Sequence, residues 1–134
     1  MDPALESLVW ERADGRCEYC RLAASDDDLP FEIDHIIAQQ HRGATASGNL
    51  CLACFSCNLH KGPNIAGVDP ASGRITPLFH PRRQGWGRHF RWSGPMLVGR
   101  TASGRATVEV PAINLDFRID LRRALIDEGV FPPR

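Results

Sequence analysis

Two Cys-x-x-Cys pairs constrain the fold of this chain more than any other feature of its sequence. The first pair is separated from the second by 33 residues. Four thiolates in two such pairs predict one tetrahedral zinc ion, which can stabilise a small domain whose loops supply little hydrophobic core. The proposed ligands of this structural zinc are Cys17, Cys20, Cys54 and Cys57.

The second thiol pair has two possible registers, because Cys51 and Cys54 have the same spacing as Cys54 and Cys57. The later register places Asn58 and His60 immediately after the last ligand, and we choose it for that reason. Cys51 is then expected to be a small, buried apolar residue rather than a metal ligand.

Length and composition are typical of one globular domain. The chain has 134 residues, of which 43% are hydrophobic and 24% are charged. No run of about 18 apolar residues could cross a membrane, and residues 1–6 lack the features of a signal peptide. We therefore expect a single domain over residues 1–134, located in the cytoplasm. Because the cytosol keeps thiols reduced, the five cysteines indicate metal binding rather than disulfides.

Helix signals lie on both sides of the thiol pairs. Asp2-Pro3 can start a helix that runs to about Arg12. A short helix should follow Cys57 and stop at Gly62-Pro63, since Gly followed by Pro commonly ends a helix. The acidic run 26–28 lacks the spacing of a calcium-binding loop, so we expect it to be solvated.

Residues 31–37 alternate apolar and polar side chains, as a half-buried strand does. Asp34 falls on the polar face of this strand. Strict alternation would place His35 on the face of Ile33. For its imidazole to reach a polar site, either the strand ends at His35 or a bulge turns the side chain.

The second half of the chain has a different pattern. Short apolar stretches alternate with Gly and Pro, which predicts two to four short strands in hairpins. The last of these strands covers residues 106–110, after a turn at Ser103-Gly104. Residues 114–128 then predict an amphipathic helix with Asn114 as its cap and Arg122 on its apolar face.

Polar side chains between and just after the thiol pairs could form a hydrolytic site. Hydrolysis of a phosphodiester needs a base for water, a cation to offset developing charge, and a group that holds the base in place. Each candidate alone has a structural explanation, such as Asn49 capping a helix. Together, in the zinc-bound region, they indicate chemistry. The candidates are Asp34, His35, Asn49, and either Asn58 or His60.

Four short motifs follow one another in a defined order: Cys-x-x-Cys, Glu-x-Asp-His-Ile-Ile, Asn-Leu, and Cys-x-x-Cys-Asn-x-x-Lys-Gly. This series resembles the HNH endonuclease family, whose core is a ββα-metal fold, and the resemblance covers about residues 12–63. It implies an α+β fold with a small ββα-metal core and a structural zinc knuckle. In this chain, short antiparallel strands and a C-terminal helix follow over residues 64–134.

The resemblance also implies a role for each polar residue of the motifs. His35 would be the general base, Asp34 a ligand of one catalytic cation such as Mg²⁺, and Asn49 the residue that orients the base and its loop. Asn58 stands at the position of the second metal ligand, with His60 as an alternative. The implied reaction is hydrolysis of nucleic acid, with DNA as the expected substrate and 5′-phosphate ends as products.

Positive charge is concentrated after these motifs, although the formal net charge is zero. Between Asp69 and Glu109 the chain has seven Arg and no acid, and Arg suits bidentate contact with phosphate. Trp86 and Trp92 could stack on bases, although such residues more often belong to a core. Lys61 could donate to phosphate or interact with the helix C-terminus. The candidate nucleic-acid contacts are Lys61, Arg82, Arg83, Arg88 and Arg91.

A second function class fits much of the same sequence. A zinc-stabilised module could bind nucleic acid without cutting it, if its hydrolytic site had decayed. The presence of Asp34, His35, Asn49 and Asn58 favours the nuclease over this binding module.

Overall fold

The N-terminal helix starts and ends where the sequence predicts. In the computed structural model, which describes residues 1–134, helix α1 covers Pro3–Arg12. Oδ1 of Asp2 accepts a hydrogen bond from the backbone amide of Ala4 at 3.0 Å, so this side chain caps the first turn. Asp14 then has a φ of 54°, in the left-handed region, and redirects the chain after the helix.

A two-stranded antiparallel sheet and the helix after it form the ββα unit. Strand β1 covers Glu32–His35 and pairs with strand β2, Leu50–Ala53, which is buried along its whole length. Helix α2, Phe55–Lys61, follows directly and ends at Gly62, whose φ is 51°. The positive φ explains why glycine followed by proline stops the helix here.

Strand β1 is shorter than the strand predicted over residues 31–37, and it ends at His35. The backbone amide of Ile36 still donates to the carbonyl of Asn49 at 2.8 Å. The next amide, from Ile37, donates instead to Oδ1 of the Asn49 side chain at 2.9 Å. The ladder therefore ends in a side-chain contact, and no bulge is needed to bring His35 to the polar site.

Two further antiparallel hairpins follow, as the punctuated pattern predicts. The first pairs β3, Ala66–Val68, with β4, Ile75–Pro77. The second pairs β5, Phe90–Ser93, with β6, Met96–Gly99, after the short helix α3, Trp86–His89.

The strand predicted over residues 106–110 is wrong, because this segment belongs to helix α4, Ala102–Glu109. The hydroxyl of Thr101 caps the helix by accepting from the amide of Gly104 at 3.0 Å. A Cβ atom at Gly104 would lie 2.1 Å from the carbonyl oxygen of His89, so close backbone packing requires glycine there. The alternating apolar pattern did not reveal this capped helix, which packs against β6.

Helix α5, Asp116–Asp127, is the predicted C-terminal helix, but its details differ from the prediction. Asn114 does not cap it; its side chain instead accepts from the amide of Leu97 at 3.0 Å. The buried positions of the helix are Arg118, Arg122 and Leu125. Two arginines on the buried face show that this helix packs with charged as well as apolar side chains.

The apolar core takes side chains from both halves of the chain, including Tyr19 and Leu52 from the first half and Phe79, Phe90 and Ile113 from the second. The observed architecture is the predicted α+β fold, with short antiparallel strands, helices and a four-cysteine knuckle. None of the helices has the length and apolar character required to cross a membrane.

Candidate active site

Four buried cysteines form one cluster beside the sheet. Their sulfur atoms all lie within 4.8 Å of one another, and those of Cys20 and Cys54 are 3.8 Å apart. Tetrahedral zinc with bonds of about 2.3 Å separates its sulfur ligands by about 3.8 Å. The backbone amides of Cys20 and Cys57 donate to the sulfurs of Cys17 and Cys54, respectively, as in a metal-binding knuckle. The cluster can therefore hold a metal such as zinc, and Cys51 lies outside it.

The surroundings of the cluster suit bound thiolates. Burial raises the pKa of the Cys17 thiol, so a metal that displaces its proton offsets that cost. Burial lowers the pKa of the Arg122 guanidinium, while the nearby thiolates of Cys20 and Cys57 raise it. This buried positive charge on α5 partly neutralises the net negative charge of zinc with four thiolates.

The carboxylate of Asp34 is buried and held by protein donors on both oxygens. The Tyr19 hydroxyl donates to Oδ2 at 2.9 Å. Nζ of Lys61 lies 3.1 Å from Oδ2 and 3.3 Å from Oδ1. Lys61 is only 1% exposed and also donates to the carbonyl of His35 at 3.3 Å. A buried ammonium thus supplies the positive charge that a buried carboxylate requires.

The imidazole of His35 is oriented by the loop that follows it. Its Nε2 lies 2.9 Å from the hydroxyl oxygen of Thr45, and Nε2 of Gln39 donates to the same oxygen at 3.4 Å. A neutral imidazole that carries its proton on Nε2 donates it to Thr45 and leaves Nδ1 free to accept a proton. This arrangement suits a general base.

Asn49 braces the same loop from the other side. Its Nδ2 donates to the carbonyls of Ile37 at 3.0 Å and Ala44 at 2.9 Å, in addition to the contact of Oδ1 with the Ile37 amide. Gly43 allows the loop to close, since a Cβ atom there would lie 1.7 Å from the Ile37 carbonyl oxygen. Asn49 therefore fixes the backbone next to His35, and the segment after it is strand β2 rather than a helix.

Asp34, His35 and Asn58 line one open pocket of about 240 Å³. The strand end supplies the first two residues and helix α2 supplies Asn58. His60 does not line this pocket. Its Nδ1 lies 2.8 Å from the carbonyl of Ser56, and its side chain lines a separate cavity between α2 and α5. The geometry favours Asn58 over His60 as the partner of Asp34.

Residues 17–64 match the family model described as HNH endonuclease. This segment belongs to the HNH endonuclease family. It begins at the first cysteine of the cluster and includes every residue of the pocket. The chain is also similar to the Septu protein PtuB of Bacillus thuringiensis, with 22% identity over 126 residues. The similarity covers 92% of this chain and 46% of that protein, so the chain spans about half the length of the curated relative. No solved structure matches.

The arginines that were predicted to contact nucleic acid lie after the HNH segment and have different environments. Arg82 forms an ion pair with Glu18 of the knuckle, and its side chain is 18% exposed. It is therefore engaged in packing against the HNH segment. Arg83 is exposed and lines a cavity that Lys61 also lines. Arg88 and Arg91 are exposed and available to a ligand.

The two tryptophans interleaved with these arginines belong to an aromatic cluster. Nε1 of Trp86 donates to the carbonyl of Tyr19 at 2.8 Å. The ring centroids of Trp86 and Trp92 are 5.9 Å apart, and those of Trp92 and Phe131 are 4.9 Å apart. These contacts favour the core interpretation over stacking on bases.

Sequence reasoning missed several side chains that shape the HNH segment. Tyr19 and Glu18 lie between the first two cysteines, and both turn inward, where Oε2 of Glu18 accepts from the amide of Leu52 at 2.9 Å. Their position inside a Cys-x-x-Cys turn could have indicated that these side chains point inward. No sequence signal indicated the role of Thr45, because its contact with His35 depends on the loop conformation. Asp27, expected to be solvated, forms a buried ion pair with Arg118 at 3.0 Å.

Proposed function

We propose that this protein is a metal-dependent endonuclease that hydrolyses phosphodiester bonds of nucleic acid, with DNA as the expected substrate. The observation that carries the proposal is the pocket shared by Asp34, His35 and Asn58. Membership of residues 17–64 in the HNH endonuclease family supports the same reaction class. We also propose a cytoplasmic location, because four of the five cysteines cluster as metal ligands and the cytosol keeps such thiols reduced.

His35 is the proposed general base. Its Nδ1 takes a proton from a water molecule, while the contact of Nε2 with Thr45 holds the ring in place. The water oxygen forms a bond to phosphorus, and the bond from phosphorus to the 3′ oxygen breaks. The leaving oxygen then takes up a proton from solvent, so the products carry a 5′-phosphate and a 3′-hydroxyl. Asn49 contributes by fixing the loop on which this geometry depends.

Asp34 and Asn58 are the proposed ligands of the catalytic cation. Carboxylate and amide oxygens are the hard donors that Mg²⁺ prefers, so the donor set fits the ion. A divalent cation held there would offset the charge that builds on the phosphate and on the leaving oxygen. The ammonium of Lys61 now supplies positive charge to the same carboxylate, and cation binding would have to compete with that contact or share it.

A second candidate function is a zinc-stabilised module that binds nucleic acid without cutting it. The ion pair between Lys61 and Asp34 favours this candidate, because the carboxylate is already neutralised by a residue of the chain. In that case the buried pair would replace a catalytic cation, and His35 would have no partner for hydrolysis.

Incubation of the purified protein with supercoiled plasmid, with Mg²⁺ or Mn²⁺, separates the two functions. The endonuclease nicks or linearises the plasmid only when a divalent cation is present, and ligation confirms 5′-phosphate ends. Plasmid that is retarded in a gel but stays supercoiled with both cations would reject the enzyme and support the binding module.

A further inference from the structure

We infer that a groove on the N-terminal side of the molecule binds the phosphodiester backbone of a nucleic acid, an inference that rests on the proposed function and assigns its substrate a binding surface. The groove, here called the arginine groove, has a volume of about 570 Å³. Its only acidic side chain belongs to Asp14. The other charged or aromatic side chains that line it are those of Arg12, Arg16, Arg21, Arg134, Trp86 and Trp92.

Three of the four arginines of the groove, Arg12, Arg16 and Arg21, have no carboxylate partner in the protein. None of them forms an ion pair, although other arginines of the chain pair with carboxylates. Nη2 of Arg12 donates to the carbonyls of Ser47 at 2.7 Å and Leu50 at 2.6 Å. Nη1 of Arg16 donates to the carbonyl of Arg21 at 3.0 Å. Bonds to carbonyls orient these guanidinium groups but leave their positive charge for an external anion.

The aromatic side of the groove supports Arg21. Its guanidinium carbon lies 5.0 Å from the centroid of the Trp86 ring. Stacking on an aromatic face holds the planar guanidinium in one orientation, from which its N–H groups can address both oxygens of a phosphate. Because Trp86 also packs against Trp92, this support is rigid.

The arginine groove is joined to the candidate active site through two residues. Arg12 binds the carbonyls on either side of Asn49, the residue that braces the loop after His35. The carbonyl of Tyr19 accepts from Trp86, and the hydroxyl of the same residue donates to Asp34. A nucleic acid held in the groove is thus bound to the same framework that positions the pocket.

The groove can be tested by DNA binding without cleavage. In a His35→Ala background, the affinity for a fluorescein-labelled DNA duplex is measured by anisotropy over a range of salt concentrations. Replacing Arg16 and Arg21 by Gln should reduce the slope of log K against log salt by about two, since each phosphate contact contributes about 0.9. The matched control replaces Arg74 and Arg123, which are exposed and lie outside the groove, and should leave the slope unchanged.

A variant that is expected to bind DNA more tightly makes the test independent of folding defects, because misfolding would weaken binding. Asp14→Asn removes the acidic side chain of the groove, and Asn tolerates the left-handed backbone at this position. It should bind the duplex more tightly. A slope equal to that of the parent in the Arg16 and Arg21 double variant, or an unchanged affinity for Asp14→Asn, would overturn the inference. Plasmid cleavage by the unaltered protein is measured separately. A failure of the proposed binding groove can therefore be distinguished from a failure of the proposed nuclease activity.

Discussion

In residues 17–64 the buried polar side chains converge on two small sites, whereas in residues 65–134 the ion-paired arginines lie apart and each joins different elements. The first region gathers four thiols into one cluster and brings Tyr19 and Lys61 onto Asp34. In the second region, Arg105 binds Asp69 at 2.8 Å and Arg118 binds Asp27 at 3.0 Å. Buried polar residues therefore form the thiol cluster and the surroundings of Asp34 in the first region. In the second region, charged residues link separate elements of the fold.

The architectural role extends across the boundary between the two regions. Arg82 reaches Glu18 in the knuckle, and Arg118 reaches Asp27 in the loop that follows it. We propose that residues 1–134 form one domain for this reason, because arginines of the second region pair with carboxylates that are buried in the first region. Separate unfolding of the two regions would contradict the single domain.

Loss of a zinc ligand should have the largest effect. Cys17→Ser should abolish tight zinc binding, measured by elemental analysis, and unfold the protein, measured by circular dichroism, because the metal replaces missing core. Cys51→Ala is the matched control, since Cys51 is equally buried but lies outside the cluster. It should retain about one zinc per chain. A folded Cys17→Ser protein would show that the metal does not organise the first region.

Removal of the buried ammonium tests the chemical character of the first region. In zinc-loaded protein without Mg²⁺, Lys61→Met should lower the free energy of unfolding by about 3–5 kcal/mol, because Asp34 keeps a buried and unpaired charge. Added Mg²⁺ should restore part of this loss in urea titrations. Lys61→Arg, which keeps the positive charge, should lower the free energy of unfolding by less than Lys61→Met does. If Mg²⁺ has no effect on Lys61→Met, Asp34 is not a cation ligand.

Two arginines of the second region should separate architecture from binding. Arg82→Gln should lower the free energy of unfolding by about 1.5–3 kcal/mol, the usual range for a hydrogen bond to a charged group. Arg88→Gln, an exposed counterpart, should leave stability unchanged and weaken DNA binding. Thermal unfolding and anisotropy measure the two properties. The assignment fails if the two variants exchange these phenotypes.

The smallest expected effect concerns pH. Burial, and then the charge of Arg88, lower the pKa of His89 below its ordinary value of about 6.5. The unfolded chain therefore binds a proton before the folded chain does, and stability should fall as the pH drops below about 6.5. His89→Gln should reduce this acid sensitivity in urea titrations, and His41→Gln, at an exposed position, should not. Identical pH profiles for all three proteins would contradict the assignment.

The sequence predicted the first region well because its signals are local. The spacing of the cysteines, the Asp34-His35 pair, and the stop at Gly62 each specify a structure over a few residues, and the structure brings the thiols and the pocket residues together. The predicted cap of α1 at Asp2 was also confirmed, whereas Asn114, the predicted cap of α5, binds Leu97 instead. The contact of Thr45 with His35 was not predictable, since it depends on how the whole loop closes.

The second region was harder to predict because its charges are paired over long sequence distances. A run of seven arginines without acids suggested one basic surface, yet Arg82 and Arg105 bind carboxylates that precede them by 64 and 36 residues. The free arginines of the arginine groove come instead from the acidic half of the chain. Charge counts along a sequence do not reveal such pairing, and neither did the alternating pattern of residues 106–110 reveal helix α4.

The most direct test of the candidate active site compares the plasmid nicking rates of three variants and the parent protein over the same series of Mg²⁺ concentrations. His35→Ala should lower the rate by about 10²–10⁴-fold, the usual contribution of a general base. Asn58→Ala should also reduce it strongly and raise the Mg²⁺ concentration required. His60→Ala should nick at close to the parent rate, because its side chain lines a different cavity. Equal rates for His35→Ala and the parent protein would contradict the account.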